Sequence, residues 1–144
     1  MHRSLRGPLS AVALLSLALA AAPPAFAAPT HAKWVAAADA VCTKANVALV
    51  AAIRKTGINL LAPTPAQLKT VAGFVVKSIS TQKTQIAKLP APSADQPAIK
   101  KLLATLQGAV DKIKADPNMV TDSESSTDAN ELAKALGLEA CDRS

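Results

Sequence analysis

The sequence contains two cysteines, Cys42 and Cys141. If the first few dozen residues are set aside, the two cysteines lie near opposite ends of the remaining chain. A bond between them would fix the last residues beside an early segment and close nearly everything between into one loop. No other feature of the sequence restricts the fold as strongly. Whether the two thiols pair depends on the compartment, because disulfides persist outside the reducing cytosol.

The N-terminal residues indicate export. Arg3 and Arg6 precede an apolar run over residues 9–22, and the small-residue stretch that follows contains Ala25-Phe26-Ala27. This order of charge, apolar core and A-x-A element is typical of a secretory signal peptide, and the run is shorter than the about 20 apolar residues of a spanning helix. We expect residues 1–27 to be a cleaved signal peptide, with an uncleaved anchor as the alternative. Residues 28–144 are expected to form one secreted, extracellular or envelope domain without a stable membrane span.

An exported chain with two cysteines is expected to form one structural disulfide between Cys42 and Cys141. In the chain-entropy treatment, a loop of about 100 residues restricts the unfolded chain by about 4–5 kcal/mol. A redox-active or metal-binding pair is disfavoured, because the chain has no C-x-x-C and His31 is the only histidine beyond the leader. No metal and no other cofactor is expected.

Helix-starting and helix-ending residues predict the first two helices. The first runs from Thr30 to Lys55, a stretch without Pro or Gly that carries an apolar stripe, and it ends at Gly57. The hydroxyl, proline and glutamine of Thr64-Pro65-Ala66-Gln67 have the order of a capping box. A second helix therefore begins there, and Pro90 stops it.

Two more helices complete the predicted bundle. Ser93 or Asp95 is expected to cap the third, which Asp116-Pro117 ends. A polar run over residues 121–128 leads to a shorter fourth helix around residues 129–136, where Gly137 and Leu138 predict a left-handed helix end. Because short connections favour antiparallel neighbours, the predicted fold is an all-α, up-down antiparallel bundle of about four helices closed by one disulfide.

The second helix carries one polar residue on its apolar stripe. Gln82 falls on the line formed by Leu68, Ala72, Val75, Ile79, Ile86 and Leu89. A buried glutamine would aim a polar group at a ligand or fix the helix register. The simpler prediction, which we favour, is a long side chain whose head reaches solvent. If the bundle holds a ligand, Phe74, Val75 and Gln82 are the candidate lining residues.

Charge is distributed unevenly along the chain. Lys33 to Lys114 contains twelve basic and three acidic residues, whereas Ala115 to Ser144 contains two basic and seven acidic ones. A basic region attracts anionic partners such as a cell-wall polyanion, although a solvated surface is the simpler explanation. Dispersed lysines, scarce arginine and few aromatic residues argue against binding of nucleic acid.

Residues suited to catalysis are sparse, and we do not expect an enzyme. His31 lies close to the new N-terminus, where we expect it to be exposed to solvent. Asp122, Glu124 and Asp128 lack the D-x-D-x-D-G order and the distal Glu of a calcium loop, so helix capping and solvation account for them. The motifs of phosphate-binding loops, dinucleotide sites, zinc proteases, serine esterases and attached haem do not occur.

Three short motifs carry a family resemblance: Ala37–Asn46 (AADAVCTKAN), Leu89–Pro92 (LPAP) and Leu136–Cys141 (LGLEAC). Together with the leader, they resemble a loose group of small secreted actinobacterial proteins of unknown function, with an ADxxCxxAN helix, an LPAP break and a closing GLxxC. The resemblance implies a helical, disulfide-closed exported fold and supplies no substrate.

Two functions fit these features. The first is a non-enzymatic protein of the envelope or extracellular space that binds a macromolecule, an envelope protein or the cell wall through its surface. The second is a carrier of a small apolar ligand held between helices. Whether the folded bundle contains a closed cavity, an exposed apolar groove or neither is the observation that would best distinguish them.

Overall fold

The computed structural model describes residues 29–122 and 124–141, and of residues 124–126 it describes the backbone alone. The predicted signal peptide, residues 1–27, lies outside the described residues. Four α-helices follow one another in the described chain: α1 (His31–Thr56), α2 (Pro65–Ile86), α3 (Gln96–Ala115) and α4 (Glu124–Ala135). Two 3-10 helices, Ser93–Asp95 and Pro117–Thr121, flank α3. The described ranges contain no strand, and the predicted all-α bundle is confirmed.

The first helix begins and ends where the sequence predicts. The Thr30 hydroxyl accepts a hydrogen bond from the Lys33 N–H at 3.3 Å. Gly57 ends the helix with a φ of 67°, a conformation that glycine adopts without steric cost, and its N–H donates to the Arg54 carbonyl at 3.2 Å. The buried residues are spaced by three or four positions and form one stripe toward the core: Trp34, Ala38, Cys42 and Ala45.

By length and composition alone, α1 is apolar enough to cross a membrane, a property that we did not predict for residues 28–144. Alanine and valine, which fill the spaces between its few charged residues, produce this apolar character. In the bundle α1 packs against α2. It also carries the fully buried Cys42, so one face of the helix is committed to the protein core.

The predicted capping box of α2 is present. Thr64 accepts from the Gln67 N–H at 3.3 Å through its hydroxyl, and its own N–H donates to Gln67 Oε1 at 2.8 Å. Pro65 occupies the first turn, where its missing N–H costs no hydrogen bond. These contacts fix the start of the helix and leave α2 running to Ile86.

The buried face of α2 is rotated relative to the predicted stripe. Its most buried residues are Val71, Ala72, Ser78, Gln82 and Ile86, while Val75 and Ile79 are half-buried. Gln82 is only 3% exposed. The prediction that its head reaches solvent outside the bundle is therefore wrong, because neighbouring polar groups accept from its N–H groups inside the bundle.

Before α3 the predicted cap is absent. Asp95 occupies the capping position, but its side chain makes no hydrogen bond to the helix, and Ser93 begins a 3-10 turn instead. The Asp95 carboxylate contacts His31 Nδ1 at 2.8 Å. It thus joins the start of α3 to the start of α1, where His31 is exposed as expected.

The last helix is longer than predicted, because it already begins at Glu124 within the polar run that we assigned to a connection. Its end is as predicted. Gly137 adopts a φ of 76°, and the Leu138 N–H donates back to the Ala133 carbonyl at 2.9 Å. Leu138 is 1% exposed and folds into the core, which turns the chain toward α1.

The helices do not close a uniform ring. The second helix packs against both α1 and α3, and α3 packs against α4, whereas α1 and α4 hardly touch along their lengths in the described chain. The core is deepest near the disulfide, around Trp34, Ile86, Leu102 and Leu138. There the Trp34 indole N–H has no hydrogen-bond partner among the described residues.

Candidate functional site

The end of the described chain is bonded to α1. Cys42 and Cys141 form a disulfide with their alpha carbons 5.2 Å apart, so the predicted pairing is confirmed. The closing is possible because Gly137 and Leu138 reverse the chain after α4. The disulfide supplies the junction between the first helix and the chain's end that the helix packing does not.

Two further residues on the same face of α1 bind the same segment. Asp39 and Asn46 lie three positions before and four positions after the α1 cysteine, so the three side chains share one face. The Asp39 carboxylate accepts from the N–H groups of Glu139 at 3.3 Å and Ala140 at 2.9 Å. Asn46 Nδ2 donates to the Ala140 carbonyl at 3.1 Å. We call Asp39, Cys42, Asn46 and the segment 139–141 the clasp.

The clasp joins two of the three motifs noted in the sequence. Ala37–Asn46 supplies its α1 side, and Leu136–Cys141 supplies the returning segment. These motifs are therefore explained by closure of the fold. One clasp residue, Asn46, also reaches the interior of the bundle.

A pocket of about 300 Å³ lies between the helices beside the clasp. This volume falls at the lower end of the range of small-molecule sites in proteins. Every helix contributes to its wall, which is mostly apolar. Its larger apolar residues are Leu49, Val75, Ile79, Ile86, Leu102, Leu106, Ile113 and Val120.

Exposure of the wall residues changes along the pocket. At the disulfide end, Cys42, Ile86 and Leu102 are almost completely buried. At the other end, Leu49 and Val120 are half-buried and Asp122 is exposed. The pocket is thus closed beside the disulfide and opens toward the end of the bundle that holds the α1–α2 connection.

Three polar side chains form a connected patch on this wall. Gln82 Nε2 donates to Asn46 Oδ1 at 3.2 Å and to Ser78 Oγ at 3.4 Å. The Ser78 hydroxyl in turn donates to the Ala45 carbonyl at 3.4 Å. The patch crosses from α1 to α2 and satisfies the donors that burial would otherwise leave unpaired.

A main-chain carbonyl fixes which way the two amides point. The Ala140 carbonyl can only accept, so Asn46 must present its NH₂ to it and turn Oδ1 toward Gln82. Gln82 must then present its own NH₂ to Asn46. Its remaining atom, Oε1, receives no hydrogen bond from the described protein and belongs to a residue that lines the pocket. The patch therefore offers an acceptor to whatever enters.

The three candidate lining residues separate in the structure. Val75 and Gln82 line this pocket, whereas Phe74 lines a second, smaller one of about 220 Å³ between α1 and α2. Sequence reasoning missed Asn46 and Ser78. Both were detectable by helical spacing, because Asn46 follows Cys42 by four positions and Ser78 precedes Gln82 by four.

The wall provides shape, apolar contact and an acceptor. Apart from the bonded cysteines, Asp122 at the open end is the one ionisable residue among the lining residues. His31 lies elsewhere, against Asp95. Within the described ranges, no three His, Cys, Asp or Glu side chains gather in a group suited to a metal ion. The arrangement is suited to holding a neutral molecule.

Neither a family model, a curated protein nor a solved structure matches this chain. The function must therefore be argued from the pocket and the surface of this protein.

Proposed function

We propose that this protein is an exported, non-enzymatic carrier of a small neutral molecule that has an apolar body and one hydrogen-bond donor. The observation that carries the proposal is the acceptor Gln82 Oε1 on the wall of an otherwise mostly apolar pocket. Gln82 Oε1 is accessible from the pocket, and a bound apolar ligand would exclude water from it. A ligand hydroxyl or N–H would then supply the hydrogen bond that the acceptor otherwise loses. Export follows from the signal-peptide pattern and suits a disulfide-closed fold.

The pocket volume sets the ligand size. At about 30 Å³ for each water-sized group, 300 Å³ holds on the order of ten such groups. A straight chain of about ten carbons with a terminal hydroxyl is therefore a suitable probe. With its hydroxyl at Gln82, the probe has two possible orientations. Its alkyl chain would contact either Ile86 and Leu102 at the closed end or Val75 and Val120 at the open end.

The test compares 1-decanol with methyl decyl ether, which keeps the chain but has no donor, by isothermal titration calorimetry on protein from a host that exports it. We expect decanol to bind more tightly by roughly 5- to 150-fold, which corresponds to about 1–3 kcal/mol for an unmade buried hydrogen bond. The Gln82→Leu variant should lose this preference, because it removes the acceptor.

Gln85→Leu is the matched control, since Gln85 is an exposed residue of the same helix and does not line the pocket. It should keep the wild-type preference. Equal binding of alcohol and ether by the wild type would refute the role of Gln82.

Failure of both probes, with a bare protein mass in native mass spectrometry of material from its own host, would refute the carrier function itself. Trp34 does not line the pocket, so its fluorescence is a poor substitute for calorimetry.

A further inference from the structure

Two exposed leucines lie in the middle of the connection between α1 and α2, which spans residues 57–64. Leu60 is 53% exposed and Leu61 is 96% exposed, and they occupy the two central positions of a turn from Asn59 to Ala62. The turn is closed by the Ala62 N–H, which donates to the Asn59 carbonyl at 3.4 Å. The Leu61 N–H donates to the Asn59 side chain at 3.0 Å.

The turn does not need leucine for its own formation. Central turn positions are usually filled by Gly, Pro, Asn, Asp or Ser, which favour the required backbone conformations. Asn59 supplies the stabilising contacts here, and Leu61 buries almost nothing in the bundle. Adjacent exposed leucines on a formed turn are apolar surface presented outward, a property of surfaces that meet an apolar partner.

Positive charge flanks the leucines. Arg54 and Lys55 precede the connection on the last turn of α1, and Lys69 follows it on the second turn of α2, all exposed. From residue 40 to residue 94 the sequence contains no acidic residue. The negative end of the α1 dipole accounts for Arg54 and Lys55, but Lys69 lies near the positive end of α2, where a cation is unfavourable.

Other elements bring some negative charge to the same end of the bundle. Asp116 and Asp122 are exposed on either side of the 3-10 helix that follows α3, and Lys112 and Lys114 precede them. The start of α4 adds Glu124 and the exposed Asp128, so these elements together carry four acidic residues against two lysines. The positive charge at this end therefore belongs to the α1–α2 hairpin, whose three cations exceed that net charge of −2 by one.

We propose that the α1–α2 connection docks this protein on an anionic membrane surface. Leu60 and Leu61 enter the boundary between headgroups and acyl chains, and Arg54, Lys55 and Lys69 face the anionic headgroups. Apolar burial combined with basic residues is the physical basis of peripheral membrane binding. A soluble or wall-bound polyanion would contact the cations and leave the leucines exposed to water. The two exposed leucines therefore favour a membrane. This inference goes beyond the carrier function and does not depend on it.

The test is flotation of the exported full chain with vesicles of phosphatidylcholine containing 0, 15 or 30% phosphatidylglycerol. We expect binding to increase with the anionic fraction and to weaken as salt rises, because salt screens exposed charges. Leu60→Ser with Leu61→Ser should reduce binding to the 30% vesicles at least 10-fold. Arg54→Gln with Lys55→Gln should reduce it by roughly 10- to 30-fold, at about 5-fold for each lost charge.

Lys100→Gln with Lys101→Gln is the charge-matched control, since both lysines are exposed at the start of α3, at the opposite end of the bundle. It should change binding less than 3-fold. Equal binding to vesicles with and without the anionic lipid, or an unchanged affinity of the leucine variant, would overturn the proposal. So would loss of a dimer in the leucine variant with vesicle binding intact, since the leucines would then serve a second copy. Decanol titration of the same variants separates failure of membrane docking from failure of the carrier function. Neither pair of substitutions alters a residue that lines the pocket, so decanol binding should be unchanged in both.

Discussion

Removal of the disulfide, by Cys42→Ala with Cys141→Ala, should be the most damaging small change to this fold. The bridge joins residues 99 positions apart. In the chain-entropy relation, a loop of this length restricts the unfolded state by about 5 kcal/mol, which the variant would lose. Domains of this size are stabilised by about 5–15 kcal/mol in total. Alanine is the replacement of choice because Cys42 is fully buried and a serine hydroxyl would find no water there.

Loss of the disulfide should loosen α4 and the clasp before the other helices. Without the bridge, the clasp retains its hydrogen bonds from Asp39 and Asn46 to the returning segment, each contributing about 0.5–1.5 kcal/mol. The fourth helix packs on α3 and hardly touches α1 in the described chain, so little else holds it in place. Because both cysteines line the pocket, the closed end would open and decanol binding should weaken.

Urea denaturation followed by far-ultraviolet circular dichroism measures the effect. The free energy of unfolding should fall by 3–5 kcal/mol, and the m-value should rise because an unlinked unfolded chain exposes more surface. Wild-type protein held under reductant provides an independent control and should behave as the variant does. A fall of less than about 1 kcal/mol, with decanol affinity unchanged, would refute the view that the bridge holds the bundle and its pocket together.

Two further substitutions test the contacts beside the bridge. Gly137→Ala should lower stability by about 1–2 kcal/mol, because the φ of 76° is unfavourable for a residue with a β-carbon, and thermal unfolding would show no change if this conformation were dispensable. Asp39→Ala should lower the free energy of unfolding in urea by about 1–3 kcal/mol, because two main-chain N–H groups lose a charged acceptor. Asp111→Ala, at an exposed site, should change it by no more than about 0.5 kcal/mol. Equal effects of the two substitutions would contradict a stabilising role of the clasp.

Features encoded by neighbouring residues could be predicted from the sequence. The capping box at Thr64, the helix end at Gly57 and the turn at Gly137 each depend on a few adjacent positions, and each occurs as predicted. The disulfide was predictable because the sequence pattern predicts export, and two cysteines in an oxidising compartment leave one partner for each. The predicted cysteine pair then placed the C-terminal segment beside α1 without any knowledge of side-chain contacts.

Features that depend on distant partners could not be predicted in the same way. Asp95 does not cap α3, because His31 on another helix takes its carboxylate. Gln82 is buried because Asn46 and Ser78 receive its N–H groups, and nothing in the sequence around Gln82 reveals that Asn46 lies opposite. The pocket is likewise a property of how four helices fail to fill the space between them.

The hydrogen bond between Asn46 and the Ala140 carbonyl determines more than the position of the chain's end. An amide side chain can rotate by half a turn and exchange its oxygen for its nitrogen, so neither Asn46 nor Gln82 carries a preferred polarity of its own. The peptide group of Ala140 sets one orientation, and the glutamine inherits it across the helix pair. If the segment 139–141 were withdrawn, the Asn46 amide would be free to invert. Only the Ser78 hydroxyl, which donates to the Ala45 carbonyl and accepts from Gln82, would then hold the orientation of the glutamine. The polarity that the pocket wall presents is thus set in part by a backbone atom of a residue that is not among those lining the pocket.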